Sequence, residues 1–451
     1  MASLARALII RSENTNSGLS SGDGLHSPVR SASTSTVEKL PRFNVSVLHA
    51  QAGRNAEIDY CSATPDLIIL DVNLDCCIDD LAAISKNLKH NPTSGLLPVV
   101  VFSDPAHFHH FDADAFFDSR MPANILARKI KQLVRLGAMR HEYQRRRQTA
   151  QGFGIEAPEI DEIDGAETQP LRILVIGRGE RYFQLASVFG GQAVLRSAEN
   201  FYSGVELLMR ETFDCLVIDT LSPSGFRLEE LEALKENLRF FTLPVILLQE
   251  GLPEDEQHLI LEQGLCDLFE LDGDAPELAA FLRTTVQSER IRRSLHQAFN
   301  SPALSKISDF NTGLPNGKFF ERHVERLTAH AQAWNLPIAF GVFQVVFPPP
   351  MAGLSMDQIN KQLVGQIGQM ISSLIRTQDI ATHLGAGKFI IATPNASAMS
   401  ISVLVSRIGS VLRSTEFLVA GCPSKVEIRS ATFVTERSDS ADAVMERLKG
   451  A

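Results

Sequence analysis

The feature that most constrains the fold is an alternation of short apolar runs with amphipathic stretches of helical length, which occurs twice before residue 300. Continuously apolar, β-branched runs separated by helices indicate a parallel sheet with helices on both faces. We therefore predict two five-stranded α/β sheets in succession. The strands predicted for the first sheet are 7–10, 44–49, 66–72, 99–103 and 115–117, and those for the second are 172–176, 193–196, 215–219, 245–248 and 267–270.

Length and charge exclude several broad classes of protein. The chain has 451 residues, which at about 150 residues per domain indicates roughly three domains. Residues 301–451 carry 14 basic and 11 acidic side chains, so the net charge of −10 comes entirely from residues 1–300 and argues against an extended nucleic-acid surface. No apolar run approaches the roughly 18 residues of a bilayer span, so we expect a cytoplasmic protein without membrane insertion.

Cysteine spacing and changes in composition along the chain give the remaining features of the domain organisation. No CxxC pair occurs among the six cysteines, so neither a disulfide framework nor a metal site is expected. A basic helical stretch at 129–147 precedes an acidic linker, and a second long helix is predicted at 278–299; both are typical of a solvated helix or of a dimer contact. No function is assigned to the Ser- and Gly-rich segment 18–36. The predicted domains are 1–150, 170–300 and 301–451, with a linker at 151–169.

Each of the two α/β regions ends its central strand in an aspartate, Asp71 in PDLIILDV and Asp219 in FDCLVID. Ligand chemistry in such sheets collects at the carboxyl ends of the strands. Both regions resemble response-regulator receiver domains, whose third strand ends in a phosphoacceptor aspartate. The resemblance implies two flavodoxin-like (CheY-like) folds.

The partners that a phosphoacceptor needs are only partly present. Phosphoryl transfer uses magnesium held by further carboxylates, and a cation that settles the phosphate charge. We predict Asp71 as the phosphoacceptor candidate and the one place where magnesium could be expected, and Asp219 as a degenerate receiver aspartate. The positions that the family uses around Asp71 hold Arg11, Ser12, Glu13, Ser103, Ser119 and Arg120, and those around Asp219 hold Gly177, Arg178, Gln249 and Leu271.

From Ser308 the pattern changes to one typical of an antiparallel α+β sheet. We predict helices at 318–333 and 356–376, a strand at 337–347 and a hairpin around Gly385. DFNTGLPN at 309–316 resembles the D-x-L-T-G-L-x-N motif that opens the GGDEF domain of diguanylate cyclases, and the resemblance covers most of residues 305–450. It implies a nucleotide-cyclase-like fold. The residues at the GGDEF signature itself are Gly385, Ala386, Gly387, Lys388 and Phe389.

This GAGKF signature lacks the carboxylates on which the family's chemistry depends. Cyclisation of two GTP molecules needs carboxylates that bind metal ions. Gly387 and Lys388 take the acidic positions, and the preceding strand FQVVF at 343–347 carries no acid. A phosphate-binding P-loop is excluded as well, because it would need a glycine at Thr382 and a hydroxyl at Phe389. We therefore predict a non-catalytic domain without catalytic residues.

Three polar residues outside the signature are retained. Arg376 and Asp379 resemble the family's R-x-x-D inhibitory site, with five residues between Asp379 and Gly385, and Arg407 falls where the family supplies a second arginine. This resemblance implies cyclic di-GMP as the ligand. Arginine can donate to guanine O6 and N7 or to phosphate, and aspartate can accept from guanine N1 and N2. The pair would share one helix face if the helix continued through it, and alone it is also typical of an exposed ion pair.

Two receivers followed by a GGDEF domain is the layout of PleD-type response regulators, and the degenerate signature with a retained R-x-x-D site resembles the PopA group among them. That resemblance implies a homodimeric cyclic di-GMP effector at a cell pole, which recruits RcdA and substrates such as CtrA for degradation by the ClpXP protease. The alternative is a phosphorylation-controlled response regulator whose third domain is a scaffold. Acyl-phosphate labelling of Asp71 without nucleotide binding would favour that alternative.

Overall fold

The computed structural model describes most of the chain. Outside its described residues lie 18–35 of the Ser- and Gly-rich segment, 160–169 of the acidic linker, and Glu13, Arg120, Arg178 and Leu271. The described residues are 5–12, 36–43, 45–52, 65–72, 78–90, 97–119, 121–159, 170–177, 179–220, 227–250, 253–270, 275–347 and 355–450. Within them, no helix has the length and apolar character needed to cross a bilayer.

The chain forms two compact units. The first is Met1–Gly137 with Asp164–Arg293, and the second is Ala138–Ile163 with Ser294–Ala451. Residues 138–150, which the sequence pattern assigned to the first domain, therefore belong to the second unit. The exact domain boundaries stay a prediction.

The first parallel sheet of the first unit has the strand order β2-β1-β3-β4-β5. This 2-1-3-4-5 order is the flavodoxin-like one. The central strands β3 and β4 are buried along their whole length, as their uninterrupted apolar sequences predicted. The elements are β1 (Ala5–Ser12), β2 (Val45–Ala52), β3 (Leu67–Asp71), α1 (Ile78–His90), β4 (Val99–Ser103), β5 (Ala115–Asp118) and α2 (Ala123–Gln151), with 3-10 helices at Thr36–Phe43 and Pro105–His110.

The second parallel sheet repeats this topology. Its order, β10-β9-β8-β6-β7, is again 2-1-3-4-5 when its strands are counted along the chain. All ten predicted strands correspond to observed ones, so the prediction of two parallel α/β sheets is confirmed. The elements are β6 (Leu171–Ile176), α3 (Gly179–Phe189), β7 (Ala193–Ala198), α4 (Phe201–Arg210), β8 (Cys215–Asp219), α5 (Leu228–Glu236), β9 (Val245–Gln249), α6 (Glu254–Gln263), β10 (Asp267–Glu270) and α7 (Ala275–Phe299).

The second unit contains an antiparallel sheet of order β12-β13-β11-β16 and a separate hairpin, β14-β15. The α+β pattern predicted from Ser308 onward is therefore present. Its elements are α8 (Pro302–Ser305), α9 (Gly317–Trp334), β11 (Ile338–Val346), α10 (Met356–Leu374), β12 (Ile380–His383), β13 (Lys388–Pro394), α11 (Ala398–Ser414), β14 (Phe417–Val419), β15 (Cys422–Ser424), β16 (Glu427–Val434) and α12 (Ala441–Gly450).

Helices α10 and α11 pack on one face of this sheet. Their apolar residues recur at helical spacing and join a single buried cluster with β11 and β13. Ser355 and Ser397 cap the two helices through backbone N–H groups of the first turn. Gly341 in β11 allows the close approach of α11, because a Cβ there would lie 2.4 Å from Val405 Cγ2.

Replacing Gly341 by alanine is expected to destabilise the protein by about 1–3 kcal/mol, because the new methyl group would overpack the contact with Val405. The measurement is the free energy of unfolding from a denaturant titration. Gly450→Ala is the control, since a Cβ at that position meets no atom within 4 Å. Equal stability of the two variants would contradict the close packing of α11 on β11.

Candidate functional site

The R-x-x-D residues lie in the turn between α10 and β12. Helix α10 ends at Leu374, because Ile375 has the extended angles φ −87° and ψ 162°. From Arg376 to Asp379 the chain forms a β-turn in which the Asp379 N–H donates to the Arg376 carbonyl at 2.9 Å. The prediction that the helix extends through Arg376 was wrong, and the shared helical face expected for the pair does not exist.

A hydrogen bond to the Asp379 carboxylate stabilises this turn. Its Oδ2 accepts from the Arg376 N–H at 3.1 Å. In a continuing helix that N–H would donate to a carbonyl of the preceding turn. A side-chain acceptor that takes this donor favours the turn over another helical residue.

Arg376 and Asp379 have different environments. The Arg376 side chain is exposed, whereas Asp379 is 3% exposed. Asp379 Oδ1 and the Thr393 hydroxyl are both buried, and neither has a well-aligned hydrogen-bond partner among the described residues. Burial raises the pKa of Asp379 to about 6, against the opposing effects of the Arg376 N–H, the Arg376 charge, the nearby Thr393 hydroxyl and the Arg146 charge. The carboxyl group is therefore ionised at neutral pH but close to its titration range.

Arg407 reaches the same end of α10 from α11. Its side chain is exposed, and its Nη2 donates to the carbonyl of Leu374 at 2.7 Å. A cation at the last turn of a helix satisfies a free carbonyl and interacts favourably with the helix dipole. The structure thus brings the Arg407 guanidinium and the R-x-x-D turn to the C-terminal end of α10.

Two further side chains hold the turn. Arg146, on α2, donates through Nη2 to the carbonyl of Asp379 at 2.7 Å. His296, on α7, has its Nδ1 3.2 Å from the Thr377 hydroxyl. Sequence reasoning missed both residues, because neither belongs to a recognisable motif.

Arg146 is in turn part of a buried charge network around Glu142. The Glu142 side chain is fully buried, and its oxygens lie 2.8 Å from Arg146 Nε, 3.2 Å from Arg145 Nη2 and 3.0 Å from His323 Nε2. Burial alone would raise the pKa of Glu142, but His323 and the two arginines lower it well below its usual range. Because an ionised carboxylate only accepts, the His323 Nε2 carries the proton of that hydrogen bond.

The signature loop joins β12 to β13. Gly385, Ala386 and Gly387 all have positive φ, at 93°, 48° and 73°. A Cβ at Gly387 would lie 2.8 Å from the ring of Phe347. The Lys388 ammonium donates to the carbonyl of Lys449 at 2.7 Å, and Phe389 is buried. An aromatic ring therefore covers the first acidic position of the signature.

This loop does not fit a catalytic metal ion. Its second acidic position holds a cation, which would repel magnesium. In the part of the chain that the structure describes, no group of three or more His, Cys, Asp and Glu residues is arranged to hold a metal.

The two predicted receiver aspartates end β3 and β8 and are both buried. Asp71 is 1% exposed, and Ser103, at the end of the adjacent β4, is buried with no hydrogen-bond partner for its hydroxyl among the described residues. Asp219 is 2% exposed, and the Arg181 Nε lies 3.8 Å from its Oδ2. Asp219 therefore has a cationic side chain beside it, whereas a magnesium ion would need further carboxylates there.

Comparison with known proteins indicates a distant relationship to a response regulator. No family model matches the chain. Over 395 residues it is 20% identical to the response regulator PleD of Caulobacter vibrioides (strain NA1000 / CB15N), covering 86% of each chain. The chain is accordingly similar along most of its length to a PleD response regulator.

Solved structures of GGDEF domains are also similar. The GGDEF domain of DgcB from Caulobacter crescentus, in complex with c-di-GMP, is 19% identical, with 32% of this chain and 85% of that chain covered and a TM-score of 0.29. The FimX GGDEF domain from Pseudomonas aeruginosa is 13% identical, with 32% and 90% covered and a TM-score of 0.28.

Replacing Gly387 by alanine is expected to cost more stability than replacing Gly385. Both positions have positive φ, which costs an L-residue roughly 1–2 kcal/mol. A Cβ at Gly385 meets nothing within 4 Å, whereas one at Gly387 meets the Phe347 ring and adds an overpacking cost of about 1–3 kcal/mol. Denaturant titration of the two variants measures the difference. Equal losses would show that Phe347 does not close the first acidic position.

Proposed function

We propose that this chain is a non-catalytic response regulator that binds cyclic di-GMP at Arg376, Asp379 and Arg407. The observation that carries the proposal is the convergence of two exposed arginines on the end of α10, beside a buried aspartate whose Oδ1 makes no well-aligned hydrogen bond among the described residues. The degenerate signature supports a role in reading the nucleotide, since Gly387 and Lys388 provide no carboxylate for GTP chemistry.

The chemistry of the three residues is complementary to a guanine dinucleotide. Arg376 is exposed, so its guanidinium can approach guanine O6 and N7 or a phosphate oxygen. Arg407 supplies a second cation for the phosphodiester charge. Asp379 Oδ1 can accept from the N1 and N2 donors of guanine. Because this oxygen is buried, guanine reaches it only when the side chains that cover it move aside, which makes binding an induced change at the site.

The remaining parts of the function rest on the resemblance to PleD-type regulators, which the 20% identity over 86% of the chain supports. We propose that the two flavodoxin-like sheets are receiver domains, with Asp71 as phosphoacceptor candidate and Asp219 as a degenerate aspartate. We further propose an adaptor of the PopA type, which is dimeric, acts at a cell pole and recruits RcdA and CtrA to the ClpXP protease.

The direct test of the binding site is calorimetry with cyclic di-GMP on the wild type and on Arg376→Ala. Saturable binding is expected for the wild type. Loss of a charge-assisted contact worth about 1.5–3 kcal/mol should weaken it ten-fold or more in the variant.

Arg413→Ala is the control, because Arg413 is an exposed arginine on α11, the same helix that carries Arg407. Its affinity should equal that of the wild type. An unchanged affinity of Arg376→Ala would move the ligand to another site, and absence of binding by the wild type would refute the proposed function.

Binding should also weaken as the pH falls below the Asp379 pKa of about 6. The ionised carboxylate accepts from guanine, and protonation removes that acceptor, so affinity is highest above pH 6. Below it, affinity should fall by up to about ten-fold per pH unit. Calorimetry between pH 8 and pH 5 measures the profile. Asp379→Asn should bind weakly with no such dependence, and a flat wild-type profile would exclude Asp379 from the site.

A further inference from the structure

Arg146 connects three different groups of the second unit. Its Nε lies 2.8 Å from Glu142 Oε1, its Nη2 donates to the carbonyl of Asp379 at 2.7 Å, and its guanidinium lies 4.8 Å from the centre of the Phe299 ring. The side chain is only 12% exposed. A guanidinium presents its donors in a fixed planar fork, so the contact to Glu142 determines where the Nη2 donor points.

Glu142 is itself held in place by His323. His323 is fully buried, bonds Glu142 through Nε2 at 3.0 Å, and has its Nδ1 3.1 Å from the Thr149 hydroxyl. Phe319 stacks on the His323 ring with a centroid distance of 5.7 Å. A buried charge of this kind is tolerated only in one well-satisfied geometry. The network therefore gives Arg146 a defined position as well as a counter-charge.

The donor of Arg146 acts on the residue that organises the R-x-x-D turn. Asp379 presents its backbone carbonyl to Arg146 and its carboxylate to the Arg376 N–H. Holding that carbonyl fixes the orientation of the peptide group that follows the Asp379 Cα, and so restricts the direction of the carboxylate. The loss of this contact would leave the turn with the His296–Thr377 contact and its own hydrogen bonds.

We propose that Arg146 is a positioning residue of the cyclic di-GMP site, which holds the R-x-x-D turn in place from helix α2 and makes the affinity of the turn depend on that helix. The ligand in this statement rests on the proposed function. Coupling is reciprocal, so a ligand that orders the turn also stabilises the segment 138–151 of α2. The ligand recognised remains a guanine dinucleotide. Arg146 acts through Asp379 and does not touch the nucleotide.

The neighbouring Arg147 provides a matched control. It lies on the same helix in the same unit, its side chain is 20% exposed, and its Nε donates to the carbonyl of Ala157 at 3.1 Å. It also pairs with Glu159. These two contacts go to residues 157 and 159, outside the turn. A general effect of replacing an arginine on this helix therefore appears in both variants, whereas a loss of positioning appears only in the variant at 146.

The test compares Arg146→Lys with Arg147→Lys in the full chain. Lysine at 146 keeps the charge beside Glu142, but its single ammonium lacks the fork that joins the carboxylate to the Asp379 carbonyl. We expect a thermal unfolding temperature close to the wild type for both variants. Cyclic di-GMP affinity should fall five-fold or more in Arg146→Lys and stay within two-fold of the wild type in Arg147→Lys.

A ligand-free measurement separates this inference from the proposed function. The amides of Arg376 and Asp379 are hydrogen-bonded within the turn, so their hydrogen exchange reports its opening. Exchange should accelerate five-fold or more in Arg146→Lys and remain unchanged in Arg147→Lys. Equal exchange in the two variants would overturn the positioning role, whether or not the wild type binds the nucleotide. Failure of the wild type to bind, with accelerated exchange in Arg146→Lys, would refute only the ligand.

If Arg146→Lys does not fold, a charge-neutral pair keeps the inference testable. Glu142→Gln combined with Arg146→Gln removes the buried carboxylate together with one of its two arginine partners, so the net charge is unchanged and Arg145, whose side chain is 13% exposed, remains as the neighbouring cation. The same exchange comparison then applies against Glu142→Gln alone. Faster exchange of the turn in the double variant supports the positioning role, and unchanged exchange overturns it.

Discussion

The hydrogen bond from the Arg376 N–H to the Asp379 carboxylate determines the geometry of the candidate site. By taking a donor that would otherwise continue α10, the carboxylate ends the helix and reverses the chain toward β12. Three consequences follow from this one interaction. Arg376 becomes exposed, Asp379 becomes buried with a raised pKa, and the free carbonyl of Leu374 becomes available to Arg407.

The signature loop and the R-x-x-D turn are held by separate contacts. Without a side chain at Gly387, the Phe347 ring lies against the backbone of the loop, and Lys388 bonds the last turn of α12. A carboxylate side chain at position 387 would displace the ring, and one at position 388 would remove that bond. The R-x-x-D turn, by contrast, depends on contacts at the end of α10 that do not involve the loop. The residues of the signature loop therefore do not determine the geometry of the turn.

Sequence periodicity predicted the architecture well and the local geometry of the site poorly. Apolar runs such as 67–71 and 99–103 are strands because their burial on both faces demands continuous hydrophobicity, and that signal is local. The end of α10 was predicted two residues too late, because Ile375 and Arg376 are compatible with a helix and the competing acceptor lies three residues further on. The network of Glu142 was missed because HEYQRRR has the composition of a solvated helix, whereas Glu142 is fully buried.

The sequence by itself determined the two parallel sheets, the antiparallel unit, the absence of acids in GAGKF and the presence of Arg376, Asp379 and Arg407. These properties depend on residue type and short-range spacing, which are readable along the chain. Only the tertiary structure decided which of the three consecutive arginines at 145–147 holds the turn. The partners, Arg146 and Asp379, are 233 positions apart, and no local pattern encodes a contact between them. Such a choice is made by packing, because the helix directs the three arginines to different partners: Arg145 and Arg146 meet Glu142, Arg147 meets Glu159, and Arg146 is the one that also donates to the Asp379 carbonyl.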